Sequence, residues 1–155
     1  MARYYAGIGS RRTPPDILDL MTIAAGHLCE LGFILRSGGA VGADSAFEKG
    51  SSNSIILRPK NATPDAIKFA STVHPAWHMC DEHAQKLHGR NVMIILGEDL
   101  QTPVEFVICW HDPQVMTGGT RLGMQVAKDH NILVFNLAVS AEISAFGDLC
   151  YNINH

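Results

Sequence analysis

Three short stretches combine glycines, hydroxyls and arginines in a way that suits the capture of an anion. The first, GIGSRR at residues 7–12, sets Gly7 and Gly9 ahead of Ser10, Arg11 and Arg12. The second, SGGAVGAD at residues 37–44, holds Ser37, Gly38, Gly39, Ala40, Gly42 and Asp44. The third, MTGGTR at residues 116–121, holds Thr117, Gly118, Gly119, Thr120 and Arg121. Glycine lets backbone amides approach a ligand closely, and a following helix adds roughly half a positive charge at its N-terminus. The plainer reading of any one stretch is a tight turn. Three together, each with hydroxyls beside the glycines, point to a pocket for phosphates. No lysine follows the glycines as a Walker motif requires, and Arg12 stands where a dinucleotide fingerprint would have its third glycine.

Other residues could add chemistry to such a pocket. Arg36, Arg90 and Arg121 join Arg11 and Arg12 in or beside predicted loops, and guanidinium groups suit bidentate phosphate recognition. Trp110, at a strand end, could stack on a base or pack in the core, and Trp77 is read as packing. Asp44 and Glu48 are four apart, hence on one helical face. They are weak candidates for acid or base work at a ribose, against the simpler reading that they complement a helix dipole. The segment from His74 to His83 holds three histidines, a cysteine and two acids. Pro75 interrupts it, its positions do not all share one face and no second ligand pair stands at a standard zinc spacing, so no metal is expected.

What must position these residues is an alternation of strands and helices. Apolar runs at residues 4–9, 32–37, 54–59, 105–110 and 132–137 read as five strands. Helical patterns fall between them at residues 14–31, 41–50, 63–72, 76–88, 118–130 and 141–151. Thr13 is expected to cap the first of these, with Pro14 at its first position. Residues 91–100 fit either a buried strand or a buried helix. Such alternation is the pattern of an α/β fold, a mostly parallel sheet covered on both faces, whose ligands bind beyond the carboxyl ends of the strands.

The chain has 155 residues, suited to one domain, and a net charge of −3 that argues against a globally electrostatic nucleic-acid binder while leaving room for a local basic pocket. Its four cysteines are widely scattered and are read mainly as core thiols in a reducing environment. With no span of membrane length and no signal-like N-terminus, a cytoplasmic location is expected.

GIGSRRTP, followed by GFILRSGGAVGADSAFEKG, resembles the Rossmann-like domain of the DNA-processing protein A (DprA/Smf) family, within the SLOG superfamily that includes the Lonely Guy phosphoribohydrolases. HPAW, KLHGRNVMIILG, TPVEFVICW, TGGTRLGMQVA and ILVFNL are similar to compact, single-domain DprA-like proteins of bacteriophages. The resemblance implies a Rossmann-like three-layer sandwich of strand order 3-2-1-4-5, and a helix at residues 91–100. It also implies ligand roles for Gly9, Ser10 and Arg11, for Ser37, Gly38, Gly39, Gly42 and Asp44, and for Gly118, Gly119 and Thr120. TGGTRLGMQ lacks the glutamate of the phosphoribohydrolase motif, so the resemblance carries over no catalytic carboxylate at that position. The leading expectation is a largely noncatalytic module that binds, and sequesters, a nucleotide-derived, phosphate-bearing ligand such as an ADP-ribose-like or cyclic nucleotide signal. The alternatives are a minimal single-stranded DNA binder acting in recombination and a nucleoside monophosphate N-glycosidase. No cofactor is required on any of these readings, and a homodimer or larger homo-oligomer is expected.

Overall fold

The computed structural model describes residues 1–154. Five parallel strands, β1 (Arg3–Gly9), β2 (Phe33–Ser37), β3 (Ser54–Ile56), β4 (Phe106–Trp110) and β5 (Leu133–Asn136), form one sheet of order β3-β2-β1-β4-β5. The intervening helices are α1 (Pro15–Glu30), α2 (Ala43–Gly50), α3 (Pro64–Val73), α4 (Glu82–Leu96), α5 (Gly119–Asp129) and α6 (Ser140–Asn154). This is the Rossmann-like α/β architecture, with the order that the resemblance implied. β1 is central, pairing Ala6 with Arg36 on one side and with Val107 on the other. The chain leaves β1 towards β2 and returns on the opposite side as β4, so the loops after β1 and β4 diverge at a topological switch point.

Side chains alternate across the sheet and divide the core in two. Tyr5, Phe33, Leu35, Phe106, Ile108 and Phe135 face α1, α2 and α6, where they meet Met21, Leu28, Phe47 and Phe146. Ala6, Ile8, Val107 and Cys109 face α3, α4 and α5, meeting Ala66, Val92, Ile95 and Val126. A glycine on the first face has a packing task. A methyl group on Gly7 would stand 2.5 Å from Cγ of Phe47, so the glycine lets α2 lie directly on β1. Burying Phe47 is worth roughly 2–3 kcal/mol.

Several boundaries depart from the sequence reading. Pro14 itself precedes the first turn of α1 and Pro15 begins it; Thr13 does not cap, because its hydroxyl donates to Ser10 O at 2.6 Å. The third strand ends at Ile56, and residues 59–61 form a 3-10 turn. Residues 76–96 are two elements. A 3-10 turn at Trp77–Met79 comes first, and α4 then starts behind Asp81, whose carboxylate accepts from the Ala84 amide at 2.8 Å. The ambiguous run Val92–Leu96 is the buried second half of α4. Among the four cysteines only Cys109 is fully buried; Cys29, Cys80 and Cys150 are half-exposed. No helix among the described residues is long and apolar enough to cross a membrane.

Candidate anion-binding face

The loop after β2 is held almost entirely by its own protein. Ser37 Oγ donates to Gly7 O at 2.7 Å, fixing the end of β2 against β1. Gly39 and Gly42 take φ of +71° and +97°, a left-handed region that L side chains avoid. Gly42 immediately precedes α2, and a methyl group there would press on Ser10 O and Arg11 Cα at 3.0 Å, so the first and second loops touch through backbone. Arg90, reaching from α4, donates through Nη1 to Gly38 O at 2.8 Å and Leu57 O at 3.0 Å. Arg58 Nη1 donates to Gly39 O at 3.4 Å.

Asp44, on the first turn of α2, is buried behind this loop. Ala40 N donates to its Oδ2 at 3.4 Å. Burial raises its carboxyl to about 6, against the opposing pull of the Ala40 amide, Arg90, and the Gly38 and Gly9 amides. The amides of the glycine-richest loop therefore face a carboxylate that the chain supplies itself.

The loop after β4 is built differently. Asn136 bridges it to β5, accepting from the His111 amide at 3.0 Å and donating to His111 O at 2.8 Å, while a His111 ring nitrogen meets Val115 O at 2.7 Å. Gly118, with φ of +107°, precedes α5, and no side chain caps that helix. Thr117 and Gly118 are exposed, so the dipole of an eleven-residue helix opens to solvent. The side-chain amide of Asn91 occupies the space a methyl group on Gly119 would need. In the first loop, Ser10 N donates to Trp110 O at 3.2 Å and Ser10 Oγ accepts from the Arg12 amide at 3.0 Å, leaving both Arg11 and Arg12 exposed.

Two hollows result, side by side. One, of about 320 Å³, is lined from all three loops by Gly9, Arg11, Ala40, Asp44, Gly118, Gly119 and Thr120, with His88, Arg90 and Asn91 of α4. The other, of about 360 Å³, is lined by Ser10, Arg12, Trp110, His111, Thr117 and the same Gly118–Thr120 turn. A third hollow, of about 700 Å³, lies beyond that turn between His74, Pro75, Met116 and Arg121.

The remaining residues singled out from sequence lie elsewhere. Arg36 is buried: its Nη1 donates to Thr102 O at 2.6 Å and its guanidinium lies 4.2 Å over the Tyr4 ring. Burial lowers its pKa, and nothing brings it to the hollows. Gly7 and Ser37 are buried structural groups. Glu48 lines a separate hollow with Ser45 and Lys49, so it does not share the site of Asp44. Conversely, Arg58, Asn91 and His88 contribute to the face without having been singled out. Arg58 looks like the end of a strand in sequence, and only the early stop of β3 turns it towards Gly39.

The fold is a Rossmann-like α/β architecture whose three glycine loops meet beyond the carboxyl ends of the strands. No protein-family model matches the chain, and no curated protein matches it either. Among solved structures it is similar to DNA processing protein A from Helicobacter pylori, described for its unique single-stranded DNA binding mode. The TM-score is 0.60 at 18% sequence identity, over 88% of this chain. The chain spans 65% of the length of that protein. At this distance the likeness establishes a shared fold.

Proposed function

We propose that the face binds single-stranded DNA through its phosphates, as a compact module of the DprA type. One observation carries the reading: two adjoining hollows share the uncapped N-terminus of α5, and the consecutive residues Arg11 and Arg12 enter one each. That arrangement suits successive phosphates of one strand better than a single isolated group. Trp110, half-exposed in the second hollow, offers a stacking surface for a base. The similarity in fold to a single-stranded DNA-binding protein supports the same choice.

The decisive measurement is fluorescence anisotropy of a labelled oligo-dT across a salt series. If Arg11, Arg12, Arg58 and Arg121 each neutralise one phosphate, log K falls against log salt with a slope of about −2.8, some 50-fold between 50 and 200 mM. Replacing both Arg11 and Arg12 by alanine should halve that slope. A salt-insensitive affinity, or a double variant that binds like the parent, would refute the proposal.

A second reading has one observation in its favour. The Asp44 carboxyl lines the three-loop hollow, where it could accept from a ribose hydroxyl. A small nucleotide-derived ligand, ADP-ribose-like or cyclic, would use it that way. Tighter binding of such a nucleotide than of oligo-dT, with weak salt dependence, would select this reading.

A further inference from the structure

We propose that His74, Cys80 and His88 form a binding site for a soft divalent metal ion, with zinc as the best-fitting class. One ligand atom from each lies within 4.8 Å of the others, and Cys80 Sγ stands 3.8 Å from His74 Nε2. Thiolate and imidazole donors around tetrahedral zinc are separated by about 3.5 Å, so a contraction of about an ångström closes the set on an ion. The site adjoins the face proposed for DNA, because His88 also lines the three-loop hollow, but metal uptake does not require DNA binding.

A second observation singles out His88. His88 is nine-tenths buried, and its Nδ1 is among the buried polar atoms that have no hydrogen-bond partner. Such a group is costly to bury, and each one in a native fold calls for an explanation. The surrounding loop is already built. Cys80 N donates to Trp77 O at 2.9 Å, Gln85 Nε2 donates to Cys80 O at 3.2 Å, and the Trp77 ring packs beside both His74 and His88.

Loading has a specific consequence at His74. The Ala76 amide donates to His74 Nδ1 at 3.0 Å, which puts the ring proton on Nε2, facing Cys80. A metal at Nε2 moves that proton to Nδ1 and displaces the thiol proton of Cys80. The Ala76 amide then loses its acceptor, and its NMR signal should report the loss. Three protein donors leave a fourth position for water.

The test uses the full, untagged chain. Elemental analysis and zinc titration against a chromophoric chelator should give one zinc per chain, and cobalt(II) should show a thiolate-to-metal charge-transfer band. Cys80→Ser should remove that band and weaken zinc binding by about 100-fold or more, whereas His83→Gln, at an exposed neighbour, should change neither. His88→Gln should match Cys80→Ser. If it fails to fold, Cys80→Ser, at a half-exposed position, decides alone. No stoichiometric uptake at micromolar zinc, or unchanged uptake by Cys80→Ser, would overturn the proposal.

Discussion

Replacing Asp44 by asparagine should stabilise the protein at neutral pH. In the unfolded chain this carboxyl titrates near 3.8, and in the fold near 6, because burial penalises its charge more than the facing amides and Arg90 relieve it. Between those two values the folded state keeps a proton that the unfolded state has released. Stability therefore falls as pH rises through this window, and the full penalty is present above pH 6. The difference of 2.2 units corresponds to about 3 kcal/mol. Asparagine removes the charge and keeps an oxygen for the Ala40 amide. It also deprives Arg90 of a nearby anion, although Arg90 retains Gly38 O and Leu57 O. A net gain of about 1–3 kcal/mol at pH 7.5 is expected. Urea unfolding of both proteins from pH 4 to pH 8 should show their difference growing from near zero to a plateau. A variant less stable at pH 7.5, or a difference independent of pH, would refute this account of Asp44. Oligo-dT affinity supplies a second readout. An ionised Asp44 repels a phosphate in the same hollow, so the substitution should tighten binding above pH 6.

Two further substitutions test separate parts of the structure. Gly118→Ala meets no atom within 4 Å, so its cost comes from the backbone alone: φ of +107° with ψ of 165° lies in a region open essentially to glycine, worth about 1–3 kcal/mol of strain. Both urea stability and oligo-dT affinity should fall, since the turn that begins α5 must shift. Tyr5→Phe should stabilise by about 1 kcal/mol, because the Tyr5 hydroxyl is buried without a partner while its ring packs against Phe33 and Phe106. Equilibrium unfolding at one pH suffices, and a loss of stability would mean that the hydroxyl is satisfied after all.

The strands and most helices are legible in the sequence because their burial is one-sided or continuous enough to leave a pattern. The run Val92–Leu96 is not, since α4 in its second half is enclosed and every residue of the run is buried, which erases the 3.6-residue period. Arg36 misleads for another reason. Its position after a strand core resembles that of a loop arginine, but register places it opposite Ala6, and its long side chain ends under Thr102. Thr13 has the right type for a cap, yet its hydroxyl closes the first loop on Ser10 O. His88 escapes notice because it lies on a different element from His74 and Cys80, at a spacing that no linear zinc pattern contains.

Glycine content and the pattern of internal hydrogen bonds rank the loops differently. The second loop has the most glycines, but Asp44 faces its amides and Arg90 and Arg58 take its carbonyls, so its left-handed residues serve chiefly to wind the chain around that carboxylate. The third loop has fewer glycines; like α2, the helix that follows it has no side-chain cap, but Thr117 and Gly118 at its start are exposed. An anion gains most where donors have no internal acceptor, because binding there does not first require a protein hydrogen bond to be broken. Affinity should accordingly centre on the Gly118–Thr120 turn and the exposed Arg11 and Arg12. The second loop, braced by Arg90, then acts as the wall that holds those two elements at a fixed distance.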